Sequence, residues 1–159
     1  MRLKGLTPII TPAAVLATGI AVLALTLSLR VPSVAASNAQ NGQLHVTKEC
    51  SQYTGSSGSF CTITSSNLAA IKVGSKVYYD QAEGTPAGML DSNIVLYGGI
   101  GEWAAGRCTL DGSTGSGLCT FSDGTGSFAG FSGRVRVTTK DGINFEWDGT
   151  YGFDPLPSR

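Results

Sequence analysis

Two neighbouring stretches near the carboxyl end of the chain, residues 131–139 and 143–153, alternate apolar and polar side chains. This alternation is typical of a β-strand with one buried face. In the first stretch the apolar set contains Phe131, Val135 and Val137. In the second stretch the apolar set consists of Ile143, Phe145, Trp147, Tyr151 and Phe153. The pattern predicts an antiparallel hairpin with both apolar sets turned to the same side.

The short turn between these two strands predicts their register. A three-residue loop ending at Gly142 gives that glycine a left-handed conformation and places Val137 opposite Phe145. Arg136 then lies opposite Glu146, which pairs opposite charges across the strands. A loop one residue shorter would turn one apolar set to the wrong face, so we expect the three-residue loop.

Six more strands are predicted upstream from turn signals and apolar runs. The eight predicted strands cover residues 44–48, 60–65, 76–81, 88–97, 102–110, 117–122, 127–139 and 143–153. The 22 glycines and the scarcity of helix-favouring runs indicate an all-β domain. Eight antiparallel strands can close into a barrel that is filled by side chains or holds one small ligand. We therefore predict a small closed eight-stranded antiparallel β-barrel.

The amino-terminal residues have the pattern of an export signal. Arg2 and Lys4 precede an uncharged run over residues 5–29, and small residues follow shortly after it. This pattern predicts a secretory signal peptide that is cleaved after Ala36 or Ala39. The run is long enough for a single membrane span, so an uncleaved anchor is the alternative. In both cases we expect the rest of the chain outside the cytoplasm, either secreted or periplasmic, or anchored and facing outward.

The chain is accordingly divided into a signal or anchor (1–36), a linker (37–42), the barrel (43–154) and a tail (155–159). Without the first segment, eight Lys and Arg face eleven Asp and Glu, a net charge of −3. Basic residues do not cluster beside aromatic ones, so nucleic acid is not an expected partner. Membrane contact is expected only through an uncleaved amino-terminal segment.

All four cysteines lie in the exported part of the chain, which predicts disulfides. Ten residues lie between Cys50 and Cys61, and ten between Cys108 and Cys119. Four cysteines allow three pairings, and local pairing best fits the Gly-, Ser- and Thr-rich intervals. A zinc site is the competing interpretation, but the chain has no CxxC motif and a single histidine, His45. We therefore expect neither a metal nor a cofactor.

Candidates for chemistry must come from polar residues within the strands, because no nucleophile motif such as G-x-S-x-G is present. His45 alternates with apolar neighbours and is expected on the solvent side of its strand. Glu102 and Tyr79 are candidates for acid and base roles, with exposure to water as the alternative. The candidates for lining a ligand cavity are Asn93, Trp103, Phe145, Trp147 and Tyr151. The aromatic members of this set could equally fill the barrel.

The run before the last hairpin, DGTGSFAGFSGRVRV at residues 123–137, resembles the glycine signature of the allene oxide cyclase and dirigent β-barrels. In that family a G(T/S)G-x-F-x-G turn leads into a long strand. The likeness extends, less specifically, over residues 49–153. It implies a barrel with an interior pocket, and it leaves a homo-oligomer open because members of the family are often dimers or trimers.

The catalytic residues of that family carry over only in part. Plant allene oxide cyclases use a glutamate and an asparagine two positions apart, and a cysteine further along the chain. Glu49 matches the glutamate and is a third catalytic candidate, but Ser51 and Leu90 occupy the other two positions. Cyclisation of an allene oxide is therefore not expected. Other members cyclise polyketides or direct phenolic radical coupling, largely through the shape of an apolar pocket.

Two functional hypotheses follow. The first is a secreted barrel that binds a small apolar molecule inside, as an isomerase or cyclase of this group that restricts the conformation of its substrate. It predicts a cavity of roughly 300 Å³ or more. The second is a non-enzymatic, disulfide-stabilised extracellular structural or interaction protein with a filled core, which associates through an exposed strand or apolar patch.

Overall fold

The computed structural model describes residues 40–84 and 88–154, which form a closed barrel of eight antiparallel strands. Each strand pairs with its neighbours along the chain, and the last strand pairs with the first to close the ring. The strands are β1 (Gln40–Glu49), β2 (Phe60–Ser66), β3 (Lys76–Tyr79), β4 (Met89–Gly99), β5 (Glu102–Asp111), β6 (Ser116–Thr125), β7 (Phe131–Thr139) and β8 (Asn144–Phe153). The predicted fold class is confirmed.

The strand boundaries differ from the predicted ones at a few points. The first strand begins at Gln40, so residues 40–42, assigned to the linker, belong to the barrel. The seventh strand begins later than predicted, because Gly126–Phe128 form a short 3₁₀ turn ahead of it. The predicted signal or anchor and the carboxyl-terminal tail lie outside the described residues. Among residues 40–84 and 88–154, no helix is long and apolar enough to span a membrane.

The β7–β8 hairpin keeps its predicted faces, but the predicted register is wrong by two residues. Val137 lies opposite Trp147, and Thr139 lies opposite Phe145. A shift of two residues leaves every side chain on its original face, because side chains alternate with a period of two. The alternation pattern therefore could not distinguish the two registers.

The β7–β8 loop is longer than predicted because Asp141 organises it. Asp141 Oδ1 accepts hydrogen bonds from the backbone N–H groups of Ile143 and Asn144 at 2.9 and 2.7 Å. Ile143, predicted on the buried face, is instead exposed in this loop. Gly142 has the predicted left-handed conformation, with φ of 74°.

The two ends of the barrel differ in how they are filled. At the closed end, where the odd-numbered strands begin, aromatic rings pack with centroids 5.3–5.7 Å apart. This aromatic plug consists of Phe121, Phe128, Phe131 and Phe153. Trp147 packs on the plug, 5.5 Å from the Phe121 ring, and is fully buried. At the open end, where the odd-numbered strands finish, the interior is not filled.

Both local cysteine pairs form disulfides, as predicted. Cys108 and Cys119 lie directly opposite each other on β5 and β6, inside the barrel. Cys50 and Cys61 close the loop between β1 and β2 at the open end. The two disulfides are consistent with an oxidising compartment outside the cytoplasm.

Candidate ligand cavity over a buried lysine

A cavity of about 170 Å³ lies at the open end of the barrel. The side chains that line it include Lys48, Tyr53, Tyr79, Leu90, Leu110 and Phe145. They come from the ends of β1, β3 and β5, the starts of β4 and β8, and the loop between β1 and β2. The first functional hypothesis predicts a cavity of roughly 300 Å³ or more, so the observed cavity is smaller than predicted. The barrel is therefore neither solid nor fully hollow, because the aromatic plug occupies its other half.

Lys48 is the charged residue that the fold brings into this interior. It follows Leu44 and Val46 on the inward face of β1, and only 3% of its surface is exposed. Opposite this point β2 carries a bulge: Thr47 pairs with Ser65, whereas the next residue, Lys48, pairs with Ile63. Bulges re-aim side chains near functional sites, and here the bulge keeps Lys48 level with an inward-facing residue of β2.

The Lys48 amine is surrounded by aromatic side chains and has no acidic partner in the part of the chain that the structure describes. Its Nζ donates a hydrogen bond to Tyr79 Oη. It also lies 5.0 Å from the ring centroid of Tyr79, 5.2 Å from that of Phe145 and 5.0 Å from that of Trp147. None of the ion pairs among the described residues includes Lys48. The site thus holds an amine without a counter-charge.

Burial lowers the pKa of Lys48 from its ordinary value of 10.5 to about 7. Cation–π contacts with the three rings favour the ammonium form, by about 0.5–2 kcal/mol each. The cost of removing an ion from water is several kcal/mol and opposes them. Desolvation dominates, so a large fraction of Lys48 is a free amine at neutral pH.

Two tyrosine hydroxyls accompany the amine. Burial raises the pKa of Tyr79, which keeps its side chain a neutral phenol. The Tyr53 ring lies 5.1 Å from the Tyr79 ring, and burial followed by the charge of Glu83 raises the pKa of Tyr53 to about 12. Tyr53 Oη is buried and has no hydrogen-bond partner within the described parts of the chain. It is available to a ligand, since buried hydroxyls ordinarily find a partner.

Some of the residues predicted to line a cavity lie at this site and others do not. Phe145 lines the cavity, as does the catalytic candidate Tyr79, and Trp147 packs one layer below them. Tyr151 is half-buried at the closed end, where its ring lies 6.0 Å from that of Phe153. It is too far along the barrel to contribute to the open end.

Asn93 and Trp103 lie on the outer face of the barrel, so their predicted role in lining the cavity is wrong. Asn93 is exposed between the buried residues Ser92 and Ile94 of β4. Trp103 is half-buried next to the fully buried Ala104 of β5. In both cases the alternation of the strand turns the side chain away from the interior.

Two of the three catalytic candidates also lie outside the cavity. Glu49 follows Lys48 and therefore points away from the interior; its Oε1 accepts a hydrogen bond from the backbone N–H of Ser51 at 2.6 Å. Glu102 forms an ion pair of 2.7 Å with Lys72 at the closed end. Of the three predicted catalytic residues, Tyr79 is the one at the cavity.

The central residue of the site, Lys48, was missed from the sequence. The signal was present: Leu44, Val46 and Lys48 alternate, which assigns all three to one face. His45, on the opposite face, is exposed as predicted, with Nδ1 2.5 Å from Asp148 Oδ1. Lys48 was not predicted to be buried because lysine side chains ordinarily lie in solvent.

The described residues contain no group of three or more His, Cys, Asp or Glu side chains arranged to hold a metal ion. Comparisons of the chain with protein-family models, curated proteins and solved structures found no match. The fold and the site therefore define the class of protein: a disulfide-bonded, eight-stranded β-barrel with a small cavity over a buried lysine.

Proposed function

We propose that this protein is an exported barrel that binds a small, mainly apolar molecule in the cavity at its open end. The observation that carries the proposal is the composition of that cavity. Leu90, Leu110 and Phe145 provide apolar walls, and Lys48 and Tyr79 provide one polar position at its base. Apolar walls with few convergent polar groups are typical of small-molecule sites.

The volume of the cavity limits the size of the ligand. An apolar cavity of about 150 Å³ in another protein accepts benzene, so 170 Å³ suits a molecule of about one aromatic ring or a short branched chain. Such a ligand would place its polar atom at the amine and its hydrocarbon part toward the open end.

The proposal includes secretion and a relationship to the allene oxide cyclase-like barrels. The two disulfides and the amino-terminal export pattern support secretion. The glycine run supports the relationship, since Gly126 and Gly130 have the left-handed conformations, with φ of 59° and 77°, that its turn into β7 requires. In this group an isomerase or cyclase would act by restricting the conformation of a bound substrate.

A binding measurement with one filled variant tests the proposal. Benzyl alcohol is titrated into the protein while tryptophan fluorescence is recorded, and the wild type is expected to bind with a dissociation constant on the order of 0.1–1 mM for about eight heavy atoms. Leu90→Phe fills the cavity and should abolish binding. Val95→Phe lies on the outer face of the same strand and is the matched control, which should bind like the wild type. Equal binding by the Leu90→Phe variant, or none by the wild type, contradicts the proposal.

A stripe of aromatic residues on the outer face supports a second candidate, the non-enzymatic interaction protein. Phe60, Tyr78 and Tyr97 follow one another across β2, β3 and β4 with centroids 5.4 and 6.4 Å apart, and Val95 beside them is 40% exposed. Exposed apolar patches commonly mark protein contacts. This candidate predicts self-association, measured by sedimentation, that Tyr97→Glu abolishes; a wild type that remains monomeric at all concentrations counts against it.

A further inference from the structure

We propose that Lys48 forms a covalent imine with an aldehyde or ketone that enters the cavity. The inference rests on the proposed function, because the carbonyl compound must first occupy the open end of the barrel. It goes further by naming the chemical class of the ligand and the atom that reacts with it, Lys48 Nζ.

The geometry places a nucleophile at the base of an apolar cavity. Lys48 lines the cavity although its side chain is almost wholly buried, so a ligand can reach the amine mainly from the open end. The hydrogen bond to Tyr79 Oη and the rings of Phe145 and Trp147 hold Nζ in place. An amine positioned in this way needs little reorganisation to attack a carbonyl carbon held above it.

The groups that face this amine give it no paired counter-charge. Tyr79 faces it from β3, Tyr53 lines the same cavity from the loop after β1, and Glu83 lies at the cavity rim after β3. Strands β4 and β8 contribute the apolar side chains of Leu90 and Phe145. No carboxylate of residues 40–84 or 88–154 is paired with the amine, and burial lowers its pKa to about 7. A desolvated lysine of this kind is the usual form of an imine-forming nucleophile.

The step balances without a further reagent. The lone pair of Lys48 Nζ forms a bond to the carbonyl carbon, and one N–H proton passes to the carbonyl oxygen to give a carbinolamine. The carbon–oxygen bond then breaks, the oxygen leaves as water with the second N–H proton, and a C=N bond remains. Tyr79 Oη, already hydrogen-bonded to the amine, is placed to exchange the proton between nitrogen and oxygen. Nothing is oxidised or reduced.

Reductive trapping tests the inference on the intact oxidised protein. Benzaldehyde and sodium cyanoborohydride are added at pH 7, and the adduct, whose added mass is that of the aldehyde less one oxygen atom, is mapped by peptide mass spectrometry. We expect Lys48 to be labelled roughly 30-fold faster than the exposed Lys140, because burial leaves about half of the Lys48 amine unprotonated at pH 7, although a weaker base is also a weaker nucleophile. The labelling rate of Lys48 should level off above about pH 7, where its amine is unprotonated.

Three variants separate chemistry from folding. Lys48→Met should lose the fast adduct, and Lys140→Met, the matched control on the surface, should retain it. Tyr79→Phe keeps the ring and removes the hydroxyl, so it should slow trapping at Lys48 and leave trapping at Lys140 unchanged. Tryptophan near-ultraviolet circular dichroism checks that each variant is folded.

The outcomes distinguish this inference from the proposed function. If benzyl alcohol binds but benzaldehyde labels Lys48 no faster than Lys140, the imine inference is wrong and the cavity remains a binding site. If benzoate binds much more tightly than benzyl alcohol and no adduct forms, Lys48 is a counter-ion for a carboxylate and the inference is again overturned. If none of the three ligands binds or reacts at the cavity, both proposals fail.

Discussion

The buried amine makes a quantitative prediction about how stability depends on pH. In the unfolded chain Lys48 titrates at its ordinary pKa of 10.5, and in the folded protein at about 7. Between these values the unfolded chain binds a proton that the folded protein does not, so the free energy of unfolding must rise with pH. Below pH 7 Lys48 is protonated in both states. Its burial as an ammonium ion then lowers the free energy of unfolding by a constant amount, about 5 kcal/mol for pKa values of 10.5 and about 7.

Comparison of the wild type with Lys48→Met isolates this contribution, because the pH dependence of groups that do not contact Lys48 cancels. Methionine fills the same space without a charge. At pH 7 the variant should be more stable than the wild type by about 1–3 kcal/mol. Removing the buried charge of Lys48 gains more free energy than leaving Tyr79 Oη without its hydrogen bond costs. Between pH 7 and pH 9 the wild type should gain about 2 kcal/mol relative to the variant, which brings the two close together.

Urea unfolding under non-reducing conditions at pH 6, 7, 8 and 9 measures this difference. The range stops at pH 9 because the unfolded chain loses the protons of Tyr53 and Tyr79 near pH 10. The folded protein, in which both pKa values are raised, keeps these protons, so the free energy of unfolding falls above that pH. Lys140→Met, which removes an exposed lysine, is the matched control. Parallel curves for the wild type and Lys48→Met would refute the reasoning, since they would mean that Lys48 is solvated and keeps its ordinary pKa.

Three further predictions concern the scaffold. Gly149→Ala should destabilise the barrel by about 3 kcal/mol or more in urea unfolding, because its Cβ would overlap the carbonyl oxygen of Arg134. Gly58→Ala, whose Cβ meets open space, is the control and should cost about 1 kcal/mol through its left-handed backbone alone. Equal losses of stability in the two variants would contradict the predicted overlap. Replacing both cysteines of the β5–β6 disulfide by alanine should lower the free energy of unfolding by about 3 kcal/mol without changing the affinity for benzyl alcohol. Removing the Cys50–Cys61 disulfide in the same way should also weaken benzyl alcohol binding, because it frees the loop that carries Tyr53. Asp141→Ala should lower the midpoint of thermal unfolding fully at pH 7 and hardly at pH 1. Hydrogen bonds from Asn144 and Ile143 hold the pKa of Asp141 well below its ordinary value of 3.8, so their stabilisation is complete above that value and is lost only as the pH falls through the lowered pKa. An equal shift at pH 7 and pH 1 would argue against it.

The fold could be predicted from the sequence because the strands that build it alternate clearly. Phe131, Val135 and Val137 are buried as their spacing indicates, and Phe145 and Trp147 meet them inside the barrel. The register of that hairpin could not be predicted in the same way. A register shift of two residues keeps the same side chains buried, so the alternation pattern fits both registers equally well. The hydrogen bonds that Asp141 accepts in the loop favour the observed register.

The candidate site was less predictable, because it depends on an exception to the ordinary preferences of residues. The spacing of Lys48 from Val46 indicates an inward position, and the structure confirms that Lys48 is buried. Its charge, however, would ordinarily place the side chain in solvent. The cavity above it depends on which interior layer is filled. Phe121 and Phe128 fill the closed end, and no local pattern in the chain shows that comparable rings are missing from the other end.

The closure of the barrel places both of its chain ends on one side. Gln40, the first residue of β1, lies opposite Phe153, the last residue of β8, next to the aromatic plug. The cavity opens at the other end, roughly 25 Å away for tilted strands of this length. A protein attached to a sensor chip or a bead through either end of the barrel would therefore present the cavity to the solution, unobstructed by the support.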